Sequence, residues 1–189
     1  SGALLPAYFA RSGLVGARCA VLGTEDSRQY VLQAGGQIVP ADQPFDALVV
    51  CDDDGFPFLE TVNAALTTLV RLFEAGRAPH LLLPNPDLIF PMGNGGFGIT
   101  SGSIALMLEG ALQLRYPGGE PRFVRLGKPY PAMFEEAERR AGTKDMVMIG
   151  DQVETDVRGA RAYGLDSVLV TTGVATGAIA DLPEDLRPT

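Results

Sequence analysis

Two acids and one lysine are the residues of this chain best placed to do chemistry. Asp151 follows the apolar run Met146-Val147-Met148-Ile149 and Gly150, and it precedes a helix-like stretch over 157–164. That order puts Asp151 at the carboxyl end of a buried strand. In open α/β sheets ligands sit in the crevice at those ends, so a carboxylate there is positioned for a metal or for chemistry. The bland reading is ordinary turn chemistry, since Asp commonly closes a strand into a loop. Asp156 lies five residues on, in the first helical turn after a Thr155 cap, where the helix dipole alone favours an acid. Lys128, in Gly127-Lys128-Pro129, ends a second strand-like run over 121–126 and precedes a helix pattern over 132–137. Lys128 and Asp151 thus occupy equivalent strand ends. Of 15 basic residues only Lys128 and Lys144 are lysine. A compact ammonium at this spot suits a carboxylate or a phosphoryl oxygen better than a planar guanidinium does. The competing reading is an exposed loop lysine.

The elements that must carry these residues alternate along the chain. A strand over 17–22 is followed by a helical stretch over 28–34 that Gly35-Gly36 stops. A strand over 47–51 leads to a helix over 59–75 stopped by Gly76, and then to a strand over 80–83. This βα repetition predicts an α/β fold, a mostly parallel sheet with helices on its faces. Tyr116-Pro117-Gly118-Gly119 is the clearest break, and it divides the chain into 1–118 and 119–189. The tail from Ala175 onward reads as a short helix followed by a loose end.

Bulk properties narrow the function classes. A chain of 189 residues with 46% hydrophobic content can bury a core. Its net charge of −8 and isoelectric point near 4.6 argue against binding nucleic acid or an anionic membrane. No apolar run approaches the roughly 20 residues of a membrane span, and no signal-peptide pattern opens the chain. Cys19 and Cys51 lie in separate strand-like runs without metal-ligand spacing, so both are expected to be reduced core residues of a cytoplasmic protein. His80 is the single histidine, which excludes a histidine-based triad or a multi-histidine metal site within these residues.

Taken in order, Gly127-Lys128-Pro129 and then Gly150-Asp151-Gln152-Val153-Glu154-Thr155-Asp156 resemble the third and fourth motifs of the haloacid dehalogenase (HAD) superfamily. The similarity is to its NagD-like, 4-nitrophenyl phosphatase and pyridoxal phosphatase subgroup, which carries a large α/β cap. Asn85-Pro86-Asp87, Gly102-Ser103-Ile104 opening a helix, and Thr171-Thr172-Gly173-Val174 extend the likeness to nearly the whole chain. It implies a HAD-like, Rossmann-type parallel-sheet core, present as its C-terminal half over 119–189, plus an α/β cap with its lead-in helix over 1–118. It also implies Mg²⁺-dependent hydrolysis of a small phosphorylated metabolite through an aspartyl-phosphate. Lys128 would steady the nucleophile and phosphoryl group, Asp151 would bind Mg²⁺, and Asp156 would support the metal shell indirectly. Asn85 and Asp87 would line the cap entrance or only shape a turn. Such chemistry needs mainly positioning and neutralisation of phosphoryl oxygens.

The departure from the family is the first motif, Asp-x-Asp-Gly after an apolar strand, together with the Ser or Thr of the second. Ala47-Leu48-Val49-Val50-Cys51 followed by Asp52-Asp53-Asp54-Gly55 matches the letter of the first motif, which would make Asp52 the nucleophile and Asp54 the acid/base. The next strand, however, ends in Pro84-Asn85 where Ser or Thr should stand, so an acidic turn of the cap is preferred. The expectation is a chain without its nucleophile, inactive alone, with apolar faces and strand edges exposed. A second copy or a cleaved N-terminal piece of the same protein is then the expected macromolecular partner. Two alternatives stay open: a non-catalytic binding or dimerisation module, and a phosphatase that uses Asp52. Gly93-Asn94-Gly95-Gly96-Phe97-Gly98 also fits a dinucleotide-binding loop, but the acid expected after the following strand is absent.

Overall fold

A computed structural model describes residues 2–93, 95–118, 121–171, 173 and 179–189. The chain forms two compact units, Ser1–Ile89 with Ile99–Leu126, and Phe90–Gly98 with Gly127–Thr189.

The first unit is built on β1 (Arg18–Leu22), β2 (Gln37–Ile38), β3 (Ala47–Val50), β4 (His80–Leu83) and a short later strand, β7 (Val124–Arg125). They form one sheet in the order β2-β1-β3-β4-β7 with every pairing parallel. Residues 19–22 and 47–50 are all buried, as the near-continuous apolar runs of parallel strands require. Helices α1 (Leu5–Ser12), α2 (Glu25–Gln33), α3 (Phe58–Glu74) and α4 (Ser101–Arg115) supply the cover. Leu22, Leu48, Val50, Leu81 and Leu83 pack in one cluster with Ala65 and Leu69 of α3 and with Ile104, Leu108 and Leu112 of α4. The alternation of strand and helix read from sequence is the alternation observed.

Two segments differ from the sequence reading. The run over 121–126 contributes only β7, which pairs with β4 and so belongs to the five-stranded sheet. It is tied to α4 as well: the Phe123 amide donates to the buried Glu109 carboxylate at 2.7 Å, and the Arg125 side chain donates from Nη2 to the same group at 2.9 Å. The glycine-rich loop is not a dinucleotide loop. It joins two paired short strands, β5 (Ile89–Pro91) and β6 (Phe97–Ile99), rather than a strand to a helix, and Met92 N–H donates to Gly96 O at 2.8 Å across the turn. Gly95 takes φ 79°, a left-handed conformation that glycine adopts without steric cost.

In the second unit, α5 (Pro131–Ala141) precedes β8 (Val147–Gly150), a π-helical turn (Val153–Val157), α6 (Arg158–Tyr163) and β9 (Asp166–Leu169). Strands β8 and β9 pair in parallel. Phe134 is buried and stacks on Tyr163 at 5.6 Å, and Tyr163 Oη donates to Glu138 at 2.6 Å, which ties α5 to α6. The other face of this small sheet stays open: Val147, Ile149, Val168 and Val170 are all exposed, Ile149 by 62%. The tail is not loose. Two 3-10 turns (Ile179–Asp181 and Glu184–Leu186) bring Leu186 into a buried position, and Thr189 bonds to the outer edge of β9. Residues 174–178, where the sequence places the start of that tail, lie outside the described residues. Among the described residues no helix is long and apolar enough to cross a membrane.

Candidate active site

Strand β8 ends at Gly150, so Asp151 stands at the carboxyl end of a parallel strand, as read from the sequence. The chain then turns into Val153–Val157, capped at Gln152. Thr155 is therefore inside the turn and not its cap, and its Oγ1 is buried without a hydrogen bond. Asp156 reaches back instead: its Oδ2 accepts the Gln152 amide at 3.1 Å. Its Oδ1 faces Lys128 Nζ at 2.5 Å in an ion pair, but without the angular geometry of a hydrogen bond. Asp156 is 1% exposed and the Lys128 side chain 24%. A carboxylate that deep is tolerated only when compensated, so the Lys128 ammonium holds it in place.

Two glycines make this arrangement possible by having no side chain. A Cβ on Gly150 would collide with the Asp156 carboxylate, and a Cβ on Gly173 would collide with that of Asp151. Both residues stood inside motifs quoted above, yet composition alone gave no sign that they leave room for the two acids. Among the described residues no group of three or more His, Cys, Asp or Glu side chains could enclose a metal ion. The acids that could share in holding a cation are Asp151 and Asp156, with buried Thr155 Oγ1 beside them in sequence as a further oxygen lacking a hydrogen bond.

The HAD-hydrolase-like family model matches residues 125–189, the stretch that holds all three site residues. Dihydroxyacetone phosphatase of Corynebacterium glutamicum is 29% identical over 180 residues, covering 94% of this chain and 59% of that protein. The p-nitrophenyl phosphatase structure from Archaeoglobus fulgidus superposes with a TM-score of 0.69 at 30% identity, over 93% of this chain and 62% of that one. The glycerol phosphate phosphatase structure from Mycobacterium tuberculosis, a complex with magnesium, gives a TM-score of 0.70 at 29% identity, over 99% of this chain and 53% of that one. Residues 125–189 carry the haloacid dehalogenase-like family pattern, and the chain is similar over nearly all of its length to phosphatases of that superfamily, a NagD protein among them. The chain spans a little over half the length of these relatives.

The remaining candidates of this HAD-like chain lie in the first unit. Asp52 and Asp54 follow β3, and each spends a carboxylate oxygen on a neighbouring amide: Asp53 N–H donates to Asp52 Oδ1 at 3.0 Å, and Gly55 N–H donates to Asp54 Oδ1 at 2.6 Å. Those are the self-bonds of an acidic turn. Burial, and then the nearby acids, raise the Asp52 carboxyl above its ordinary range, which makes it a poorer anion than an exposed aspartate. Asn85 and Asp87 shape the approach to α4. Asp87 N–H donates to Asn85 Oδ1 at 3.3 Å, and Gly102 N–H donates to Asp87 O at 3.0 Å. Gly102 sits so close to the Pro86 and Asp87 carbonyls that no side chain fits there.

Proposed function

We propose that this chain is part of a Mg²⁺-dependent phosphomonoester hydrolase that acts on a small phosphorylated metabolite through an aspartyl-phosphate. The observation that carries the reading is the Asp156 carboxylate, almost wholly buried and held at 2.5 Å from Lys128, in the turn that follows Asp151. Phosphatase relatives acting on small phosphate esters support the substrate class.

In this reading residues 119–189 are the second half of a HAD-like core, residues 1–118 are an α/β cap with its lead-in helix, and the attacking carboxylate comes from polypeptide outside residues 1–189. Lys128 keeps its ammonium fixed by Asp156, with its exposed quarter turned to solvent, where a phosphoryl oxygen can reach it. Asp151 offers oxygen ligands from the end of β8, and Asp156, pinned at Oδ2 by the Gln152 amide, keeps Oδ1 for Lys128 and the metal shell. Two carboxylates and a hydroxyl suit Mg²⁺, which binds through one or two carboxylates and keeps several waters. Bound there, Mg²⁺ would neutralise phosphoryl oxygens and favour attack. Cys19 and Cys51 are free, and burial pushes their thiols up to about 11 and about 12, which fits a reducing, cytoplasmic setting. A small metabolite is the expected partner, with no nucleic acid and no membrane.

A panel of small phosphomonoesters presented to the product of the whole reading frame tests this directly. Phosphate release from at least one ester that requires Mg²⁺ and stops with chelator is the expected result. Absence of release from every ester at saturating Mg²⁺ would defeat the reading.

A further inference from the structure

The turn that holds Asp156 is an uncommon one, and its support comes partly from the far end of the chain. A π-helical turn makes poorer hydrogen bonds than an α-helix, so it persists where surrounding packing holds it. The 3-10 turn Glu184–Leu186 packs against Val153–Val157, and Leu186 is 8% exposed in a tail that is otherwise largely open. Arg161 of α6, the helix continuing from the π turn, donates from Nη1 to Glu184 O at 2.9 Å. Arg187 ties the two 3-10 turns together through Leu182 O and Ala180 O, each at 2.9 Å. At the far end Ser167 N–H donates to Thr189 Oγ1 at 2.8 Å, and Thr189 N–H donates to Ser167 O at 3.1 Å.

We infer that residues 179–189 form a positioning strap for the Asp156 turn, with Leu186 as its anchor and Arg161 as its brace. The strap is held at three places, on α6, on the π turn and on β9, and so closes over the backbone that aims Asp156 at Lys128. Asp156 N–H donates to Gln152 O at 2.8 Å and Val157 N–H to the same oxygen at 3.4 Å, bonds that open when the turn is released. The importance of the strap for chemistry rests on the function proposed above; its mechanical role does not.

Hydrogen–deuterium exchange of the 189-residue chain, read on peptides covering 152–158, 166–169, 18–22 and 47–50, tests the inference. Leu186→Ala and Arg161→Met should each speed uptake over 152–158 by about tenfold or more, leave 18–22 and 47–50 unchanged, and be reversed at Leu186 by Leu186→Met. Faster uptake confined to 166–169 would overturn the inference, because the strap would then be only a cover for the β9 edge. Unchanged uptake over 152–158 would overturn it as well. If Leu186→Ala fails to fold, Arg161→Met and Leu186→Met decide alone. Mg²⁺ should slow uptake over 152–158 in the wild type and do so less in Arg161→Met. Failure of that arm in the wild type counts against the cation site, while the metal-free comparison still decides the strap.

Discussion

In the proposed hydrolase, Asp151→Asn is expected to lower kcat by about 10²- to 10³-fold or more and to raise the Mg²⁺ concentration needed for half-maximal rate. Lys128→Ala lowers kcat by a similar factor. The two variants separate on stability. Asp151 stands beyond the end of β8 and fills no core, so its amide should fold normally. Lys128 compensates a carboxylate that is 1% exposed, and its removal leaves that charge buried and unpaired. A loss of about 3 kcal/mol in denaturant unfolding is therefore expected for Lys128→Ala at neutral pH. Lys128→Arg should fold but turn over slowly, because a planar fork cannot occupy the point that an ammonium fills. Near wild-type kcat in both Asp151→Asn and Lys128→Ala would remove the site assignment.

The second large effect concerns the 189 residues alone, which are expected to hydrolyse no phosphomonoester, with or without Mg²⁺. In the proposed roles Lys128, together with Mg²⁺ held by Asp151 and Asp156, would neutralise a phosphoryl group, but a covalent pathway needs an attacking carboxylate, and no positioning group substitutes for it at useful rates. The aspartates that match the nucleophile pattern, Asp52 and Asp54, are tied into their own turn. The same preparation should self-associate. Parallel sheets are normally covered on both faces, yet Val147, Ile149, Val168 and Val170 lie open on the β8–β9 sheet. The outer edge of β9 is met by Thr189, which leaves the β8 edge for pairing among the described residues. Light scattering should report oligomers at micromolar concentration that Ile149→Lys diminishes. Mg²⁺-dependent hydrolysis by a preparation whose intact mass is that of Ser1–Thr189 would show that the nucleophile lies inside, and Asp52→Asn would be the next variant to make.

Much of the fold is legible in the amino-acid sequence. The apolar runs at 17–22, 47–51 and 80–83 are too hydrophobic to be half-exposed strands, and burial on both faces made the parallel sheet readable. The place of Asp151 at a strand end was legible because the short apolar run over 146–149 is closed by Gly150 and followed by a turn. What failed depended on contacts distant in sequence. The 121–126 run has strand composition, but its pairing with β4 and its bonds to Glu109 are tertiary facts that no local pattern encodes. Thr155 has the composition of a cap, yet Asp156 performs the backward reach because the turn is π-helical, with wider rings than the α-helical pattern assumes. Gly150 and Gly173 were visible as motif letters only. The missing Cβ faces the Asp156 carboxylate, six residues on from Gly150, and the Asp151 carboxylate, 22 residues back from Gly173.

Equilibrium titration of Mg²⁺ into the 189-residue chain, wild type beside Asp151→Asn, is the most direct test of the cation seat at Asp151 and Asp156. It needs neither a nucleophile nor a substrate, so it is independent of whatever else the enzyme requires. Saturable binding of one Mg²⁺ in the wild type, weakened at least about tenfold in Asp151→Asn, is the expected result. Equal binding by the two proteins, or no saturable binding by the wild type, would contradict it.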